Sequence, residues 1–282
     1  MNNCFFASDL HGRSDRYTKL FDSIEKEKPG LVFLGGDLTP HFMISLRDKK
    51  DFYRDVFFPG LQNLKEILKE EYPVIFLIMG NDDARVDETT LLEGENLGLF
   101  KYANQKKIEY GHYSVFGYSF IPPSPFLLKD WEKYDVSRYI DPGCVPPTEG
   151  FRTADVDENI EFATIQKDLE LLTEGKDMEN AVFLFHSPPY KTFLDRAALD
   201  GQKIDHVPLD LHVGSIAIKR FIENNQPLLS MHGHIHESSR ITGHWRQKIG
   251  RTELFNGAHD GPELCLIRFD LENPEKARRY LF

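Results

Sequence analysis

The sequence predicts an α/β fold in which two sheets form the core and helices cover them. Three observations carry this. Strand-length runs such as Leu31–Leu34, Val74–Met79 and Ala181–Phe185 are apolar throughout instead of alternating, the pattern of strands buried on both faces. The strands fall into two groups, one toward each end of the chain, with a helix after most of them. No Pro/Gly-rich linker divides the 282 residues into two cores, so one domain is expected over residues 1–282.

The elements follow in order. Cys4–Ser8 reads as the first strand and runs straight into Asp9. Ser14–Lys28 reads as a helix, with Leu20, Phe21 and Ile24 on one face and Pro29-Gly30 as its stop. Leu31–Leu34 is the second strand and ends at Gly35-Gly36-Asp37. Phe52–Glu71 predicts a long helix with a break near Pro59-Gly60. Val74–Met79 is the third strand and leads into Gly80-Asn81, completing a β-α-β-α-β start. Ile108–Gly111 and Tyr113–Tyr118 are shorter strands around the turn at Gly111-His112. An irregular, proline- and aromatic-rich excursion covers about 122–154; it is either a solvated surface loop or a cap beside a site. Asn159–Leu172 predicts a helix, Ala181–Phe185 a strand that delivers His186, and Ser215–Asn224 a helix. Leu228–Met231 is a strand followed at once by His232-Gly233-His234-Ile235-His236, and Glu253–Asn256 and Glu263–Phe269 close the chain as strands.

Composition narrows the function. With 40% hydrophobic residues the chain can bury a sizeable core. The 34 basic and 45 acidic residues leave a net charge of −11, so a non-specific grip on nucleic-acid backbone, which needs clustered cations, is not expected. No apolar run approaches the ~20 residues of a bilayer span, so no membrane association is expected. Met1-Asn2-Asn3 has no basic n-region and Cys4-Phe5-Phe6-Ala7 is too short for an h-region, so no signal peptide is expected. Cys4, Cys144 and Cys265 lie far apart with no CxxC pair. That fits a reducing cytoplasm, with Cys4 and Cys265 as buried small hydrophobes on strands.

The chemistry lies at the strand ends. Asp9-Leu10-His11, Gly36-Asp37, Gly80-Asn81-Asp82-Asp83, His186 and Gly233-His234-Ile235-His236 each follow an apolar strand, where open α/β sheets place their sites. In extended backbone, residues two apart face the same way, so Asp9 and His11 would approach one metal together, and His232, His234 and His236 would point to one side. Asp37 after two glycines is a turn residue or a carboxylate able to bridge two metals. Asn81 is a hard, neutral carbonyl ligand or an ordinary turn residue. His186 is followed by Pro188-Pro189, which stiffen the loop behind it. Asp, Asn and His together form the donor mixture that holds two divalent metals side by side, which points to a two-metal hydrolase.

At these residues the chain resembles the calcineurin-like metallophosphoesterases, whose pattern is DxH, GD, GN, a later His and GHxH. The resemblance runs from Asp9 to His236, and Asn256-Gly257-Ala258 looks like the family's close. The segments His186-Ser187-Pro188-Pro189, His212-Val213-Gly214-Ser215 and Gly233–Ser238 resemble a cytosolic branch, the predicted phosphoesterases related to the Icc cyclic-nucleotide phosphodiesterase. The resemblance implies a four-layer α/β/β/α sandwich with two mixed sheets, of the metallo-dependent phosphatase type. It implies that Asp9, His11, Asp37 and His236 hold a first metal, and that Asp37, Asn81, His186 and His234 hold a second, with Asp37 bridging. A hydroxide shared by the two ions is then the expected nucleophile on a small phosphodiester or phosphomonoester. Manganese is the first expectation, with Fe, Zn, Co, Ni and Mg as alternatives.

One position departs from that family. Many members carry a His directly after the GN pair, where this chain has Asp82. Dications beside Asp82 would hold it ionised and make it a poor proton donor. A substrate with a good leaving group is therefore expected, or a proton supplied by another histidine, for which His212, just ahead of a helix start, is the candidate. Asp83 is either a ligand-orienting carboxylate or a solvated turn residue. The competing readings are a non-catalytic binding or scaffold protein on the same fold, and a nuclease. Natural substrate and oligomeric state are not legible.

Overall fold

A computed structural model describes residues 3–41 and 51–282. Met1 and Asn2, on which the signal-peptide expectation partly rests, lie outside them.

The first half lays down β1 (Asn3–Ala7), α1 (Ser14–Glu27), β2 (Leu31–Gly35), α2 (Phe58–Leu68), β3 (Val74–Ile78), α3 (Glu88–Asn96), β4 (Lys101–Tyr102), β5 (Lys107–Tyr110) and β6 (Tyr113–Tyr118). The second half adds α4 (Ile165–Thr173), β7 (Ala181–Phe185), the small hairpin β8–β9 (Lys203–Ile204, Val207–Pro208) and α5 (Ile216–Asn225). It ends with β10 (Leu229–His232), α6 (Ser238–Thr242), β11 (Arg246–Ile249), β12 (Thr252–Asn256), β13 (Cys265–Asp270) and β14 (Arg278–Leu281).

These strands form two six-stranded mixed sheets, ordered β14-β13-β1-β2-β3-β4 and β11-β12-β10-β7-β6-β5. In each, four neighbouring strands are parallel; antiparallel β13 and β14 close one edge of the first sheet, and antiparallel β11 and β5 close both edges of the second. Alternation along the strands explains the layers. Cys4 and Phe6 of β1, Leu31 and Phe33 of β2, Val182 and Leu184 of β7, and Leu229 and Met231 of β10 join one apolar cluster between the sheets. Phe5, Ala7, Val32 and Leu34 face the other way and meet Tyr17, Leu20 and Ile24 of α1 and Leu61 and Leu64 of α2. On the opposite side Phe183 lies 4.7 Å, ring to ring, from Phe221 of α5. The result is the expected α/β/β/α sandwich. Among the described residues no helix is long and apolar enough to cross a membrane.

Register sets the site. Ala7 pairs with Leu34 and Gly35 with Ile78, while Leu184 pairs with Met231. The residues after β1, β2, β3, β7 and β10 therefore emerge at the carboxyl ends of adjacent parallel strands.

Two expectations need correction. The Phe52–Glu71 segment is not broken at Pro59-Gly60. It stays helical through Tyr53–Phe57, wound as a π-turn with Phe58 N–H donating to Tyr53 O, before α2 begins. Pro59 has no N–H to give to the residue four back, and the wider turn ahead of it removes the need for one. The helix expected from Asn159 starts only at Ile165, because the Thr164 side chain caps it by accepting from Lys167 N. Of the two readings left open for the 122–154 excursion, a wholly solvated loop does not hold: Phe126, Leu127 and Tyr139 are exposed, but Lys129, Asp130, Trp131 and Glu132 are buried, and Trp131 Nε1 donates to Asp83 O at 2.8 Å.

Candidate metal centre

Backbone hydrogen bonds carry the strand pairing into the loops. Asp9 N donates to Gly36 O (3.0 Å), His11 N to Asp37 O (2.8 Å) and Gly233 N to His186 O (2.9 Å). The backbone there is not extended, contrary to the expectation for Asp9-Leu10-His11 and for the histidine run. Asp9, His11, Asp37 and His234 have φ of 57°, 49°, 50° and 70°, the left-handed region that non-glycine residues seldom occupy. Such strain persists where the surrounding structure holds it and gathers at functional sites. The turns, not strand alternation, aim these side chains. They also remove His232 from the group: its ring is buried, stacks on Phe185, and bonds Ser230 Oγ and Ser187 O.

The remaining residues converge. Asp9, His11, Asp37 and His236 each offer a ligand atom, all within 4.8 Å of one another. His236 Nε2 is 3.1 Å from Asp9 Oδ1 and 3.1 Å from His11 Nε2. On the other side of Asp37, His186 Nε2 lies 3.0 Å from Asn81 Oδ1 and 3.4 Å from Asp37 Oδ2. His186 Nδ1 sits 2.8 Å from Gly35 O; a carbonyl accepts only, so Nδ1 carries the proton and neutral His186 presents a lone pair at Nε2. In the metal-free protein the charged ring donates from Nε2 to Asn81 Oδ1; with a cation in place of that proton, the Nε2 lone pair, the Asn81 carbonyl, an imidazole pair and two carboxylates make a suitable donor set. His234 adds a ring 5.2 Å from that of His186, and its N–H donates to both Asp9 oxygens.

Electrostatics follow from burial and proximity. Burial opposes ionisation of Asp9, but the hydrogen bond and charge of His236 hold its carboxyl well below the usual range. Asp37 is likewise lowered against its burial, by His186 and His11. Burial works against a charged His186, yet Asp37 raises it to about 10. Burial and His186 push His234 down to about 3. Asp82 goes the other way: burial and the Asp37 carboxylate raise it to about 7. That is its state in the metal-free protein; neighbouring dications act in the opposite sense.

Asp83 is a buried staple, not a solvated turn residue. Its carboxylate accepts from Leu38 N, Thr39 N, Thr39 Oγ1 and Gly80 N at 2.8–2.9 Å, tying the loop after β2 to that after β3. Burial and Asp37 raise it to about 6 despite those donors. Asp83→Ala is expected to destabilise the fold by about 3 kcal/mol, because it strands several buried donors; urea titration measures it. A carboxyl raised in the folded state binds its proton more tightly there than when unfolded. Asp82 and Asp83 therefore contribute stability that is lost as pH rises from about 4 to about 7, while His232 and His234, lowered to about 3, contribute in the opposite sense; the stability of Asp82→Asn relative to the wild type should accordingly rise across this range. Urea midpoints across this range check the sign.

His212 stands apart from the metal-ligand candidates. Its Nδ1 pairs with buried Asp195 Oδ1 at 2.8 Å, and the neighbouring Val213, not His212, lines the cavity over the ligand group. Sequence reasoning missed three supports. Arg16 Nη1 donates to Asp9 O at 2.6 Å. Asp195 also receives Lys191 N and Thr192 N. Asn256 Nδ2 donates to Ile235 O and Ser238 Oγ, bracing the last histidine loop. Only Asn256 carried a signal, its place before Gly257-Ala258.

The family model of the calcineurin-like phosphoesterases matches residues 4–238. No curated protein matches the chain. Among solved structures, TT1561 of Thermus thermophilus is 15% identical, with 99% of this chain and 98% of that chain covered and a TM-score of 0.57. A second crystal structure, also 15% identical, covers 100% of this chain and 99% of that chain at a TM-score of 0.61. Both show the shared fold. A dimetal phosphatase from Danio rerio is 11% identical, with 99% and 98% covered and a TM-score of 0.49. With a family match over most of its length, and the Asp, Asn and His residues of the motifs gathered at one end of two stacked sheets, the chain belongs to the calcineurin-like phosphoesterase family.

Proposed function

We propose that this protein is a cytoplasmic, dinuclear metallophosphoesterase that hydrolyses a small phosphodiester or phosphomonoester, with the diester preferred. The observation that carries the reading is the position of Asp37: its Oδ2 lies 3.4 Å from His186 Nε2 and 3.9 Å from His11 Nε2, between two donor groups. Asp9, His11, Asp37 and His236 would hold one ion, and Asp37, Asn81, His186 and His234 the other. The ions, manganese first, would supply Lewis acidity toward water and toward the charge developing on the phosphoryl oxygens. The chain itself fixes the donors. Gly35 O sets the His186 tautomer, and the Asp9 carboxylate, braced by His234 N–H, holds His236. Asp82, 3.5 Å from His11 Nδ1, adds negative charge beside the centre and is a weak acid there once dications are bound.

We propose that the proton for the leaving group comes from His212, whose ring Asp195 orients and whose neighbour Val213 lines the cavity over the ligand group. His212→Ala should lower turnover on the order of 10²-fold for esters with a poor leaving group and far less for p-nitrophenolate. Equal losses on both, or none on either, would contradict the assignment.

Metal titration with a diester and a monoester separates this reading from a non-catalytic binding or scaffold protein, which would show saturable metal binding and no turnover. The scaffold reading is disfavoured because every ligand position holds a competent donor. The net charge of −11 disfavours a nuclease, and assays on single- and double-stranded DNA test it.

A further inference from the structure

We infer, on the basis of the phosphoesterase reading, that the substrate carries one uncharged aromatic arm, seated in an apolar cleft directly beside the metal ligands. The cleft is a cavity of about 320 Å³, within the range of small-molecule sites. His11, Asp37, Asn81, His234 and His236 line it, and so do two apolar walls from distant parts of the chain. One wall is Pro122, Pro123 and Phe126 of the excursion; the other is Leu199, Val213 and Ile235. An ester whose phosphorus lies at the ligand group must place an arm between these walls.

Both walls are preformed. Behind the first, buried Glu132 accepts from Ser124 N and Ser124 Oγ, and buried Lys129 Nζ donates to Ser124 O and Glu132 Oε2. This ionic staple, together with the prolines, fixes the backbone that presents Phe126. On the second wall, Glu237 Oε1 accepts from Ala198 N at 2.9 Å, beside Leu199. Fixed walls bind without the entropy loss of ordering a loop. Phe126 is nonetheless 51% exposed, so a flat ring laid against it would remove apolar surface from water. Charge selects further. Apart from the metal-ligand candidates, the ionisable lining groups are Asp82, Cys144 and Glu237, and no Lys or Arg lines the cavity among the described residues. A second anionic group on the arm would meet two carboxylates and, among the described residues, no Lys or Arg.

The test uses manganese-loaded protein and two non-hydrolysable probes, methyl(phenyl)phosphinate and dimethylphosphinate, whose affinities are read by calorimetry. Hydrolysis of bis-p-nitrophenyl phosphate is followed in parallel. The phenyl probe should bind roughly 10-fold tighter, a ratio expected for one aromatic stack. Phe126→Ala and Leu199→Ser should each remove most of that preference, and Phe126→Trp should keep it. Equal affinities for the two probes, or a preference untouched by both truncations, in a protein that hydrolyses the diester would overturn the cleft assignment and leave the phosphoesterase reading standing. Absence of hydrolysis with any of the candidate metals would overturn the phosphoesterase reading, and the inference with it.

Discussion

Asp37→Asn is expected to lower phosphoester hydrolysis by about 10³-fold, equivalent to about 4 kcal/mol in the barrier, while leaving the chain folded. The asparagine keeps an oxygen for the bond from Asp82 N, which now reaches Asp37 Oδ1 at 2.8 Å. It loses the negative charge between His186 and His11, and a neutral amide bridges two dications poorly. Folding should not suffer in the metal-free protein, because Asp37 is also a like-charge neighbour that raises Asp82 and Asp83. Metal content by mass spectrometry should fall below two ions per chain, with an unchanged far-ultraviolet circular dichroism spectrum. A rate within tenfold of the wild type would remove Asp37 from the bridging role.

Gly80→Ala should be nearly as damaging, by a different route. A Cβ at Gly80 would lie 2.3 Å from Asp37 Oδ1, 2.5 Å from Asp37 N and 2.6 Å from His186 Cε1. One of these is backbone, so relief must displace the ligands themselves. Overpacking of this kind costs about 1–3 kcal/mol, and a ligand shift near 1 Å costs on the order of 10²-fold in rate. Gly233→Ala repeats the test from the other sheet, with Cβ 2.4 Å from Asp9 Oδ2 and 2.1 Å from Ser8 Oγ. Thermal melting and turnover with manganese measure both effects. A Gly80→Ala protein with wild-type turnover would mean that the close approach of β2, β3 and β7 at their carboxyl ends is not needed for the site.

Gly80 and Gly233 were legible in the sequence only as motif glycines; what they make room for is tertiary. The same division runs through the molecule. Fully apolar runs marked β2, β3 and β7, and largely apolar ones β1 and β10, because strands buried on both faces leave no alternation to misread. The edges were not legible. β4 is two residues long, and β11 and β14 carry exposed Arg and Lys along their length, as edge strands do. The α3 helix was hidden by Gly94, which is required where the Phe58 and Phe100 rings approach to 2.6 Å of a would-be Cβ.

At the site, ligand types and strand ends could be read, but the left-handed turns at Asp9, His11, Asp37 and His234 could not, since the enrichment of Asp and His at positive φ is too weak to predict it at a given position. Only the packed loops around them explain it. Strand alternation therefore pointed His232 to the same side as His234 and His236, whereas its ring meets Ser230 and Ser187. For the same reason the excursion's role was undecidable: Trp131 is held by Asp83 and Arg85, distant in sequence, and the Lys129–Glu132 pair closes on Ser124, which no local pattern announces.

The most direct test of the central claim is a manganese titration of metal-stripped protein, read by hydrolysis of bis-p-nitrophenyl phosphate. A dinuclear phosphoesterase predicts no turnover without metal, and activity that climbs to a plateau at two equivalents per chain. Turnover that survives complete metal removal, or a protein that takes up two ions and hydrolyses neither this diester nor p-nitrophenyl phosphate, would contradict it.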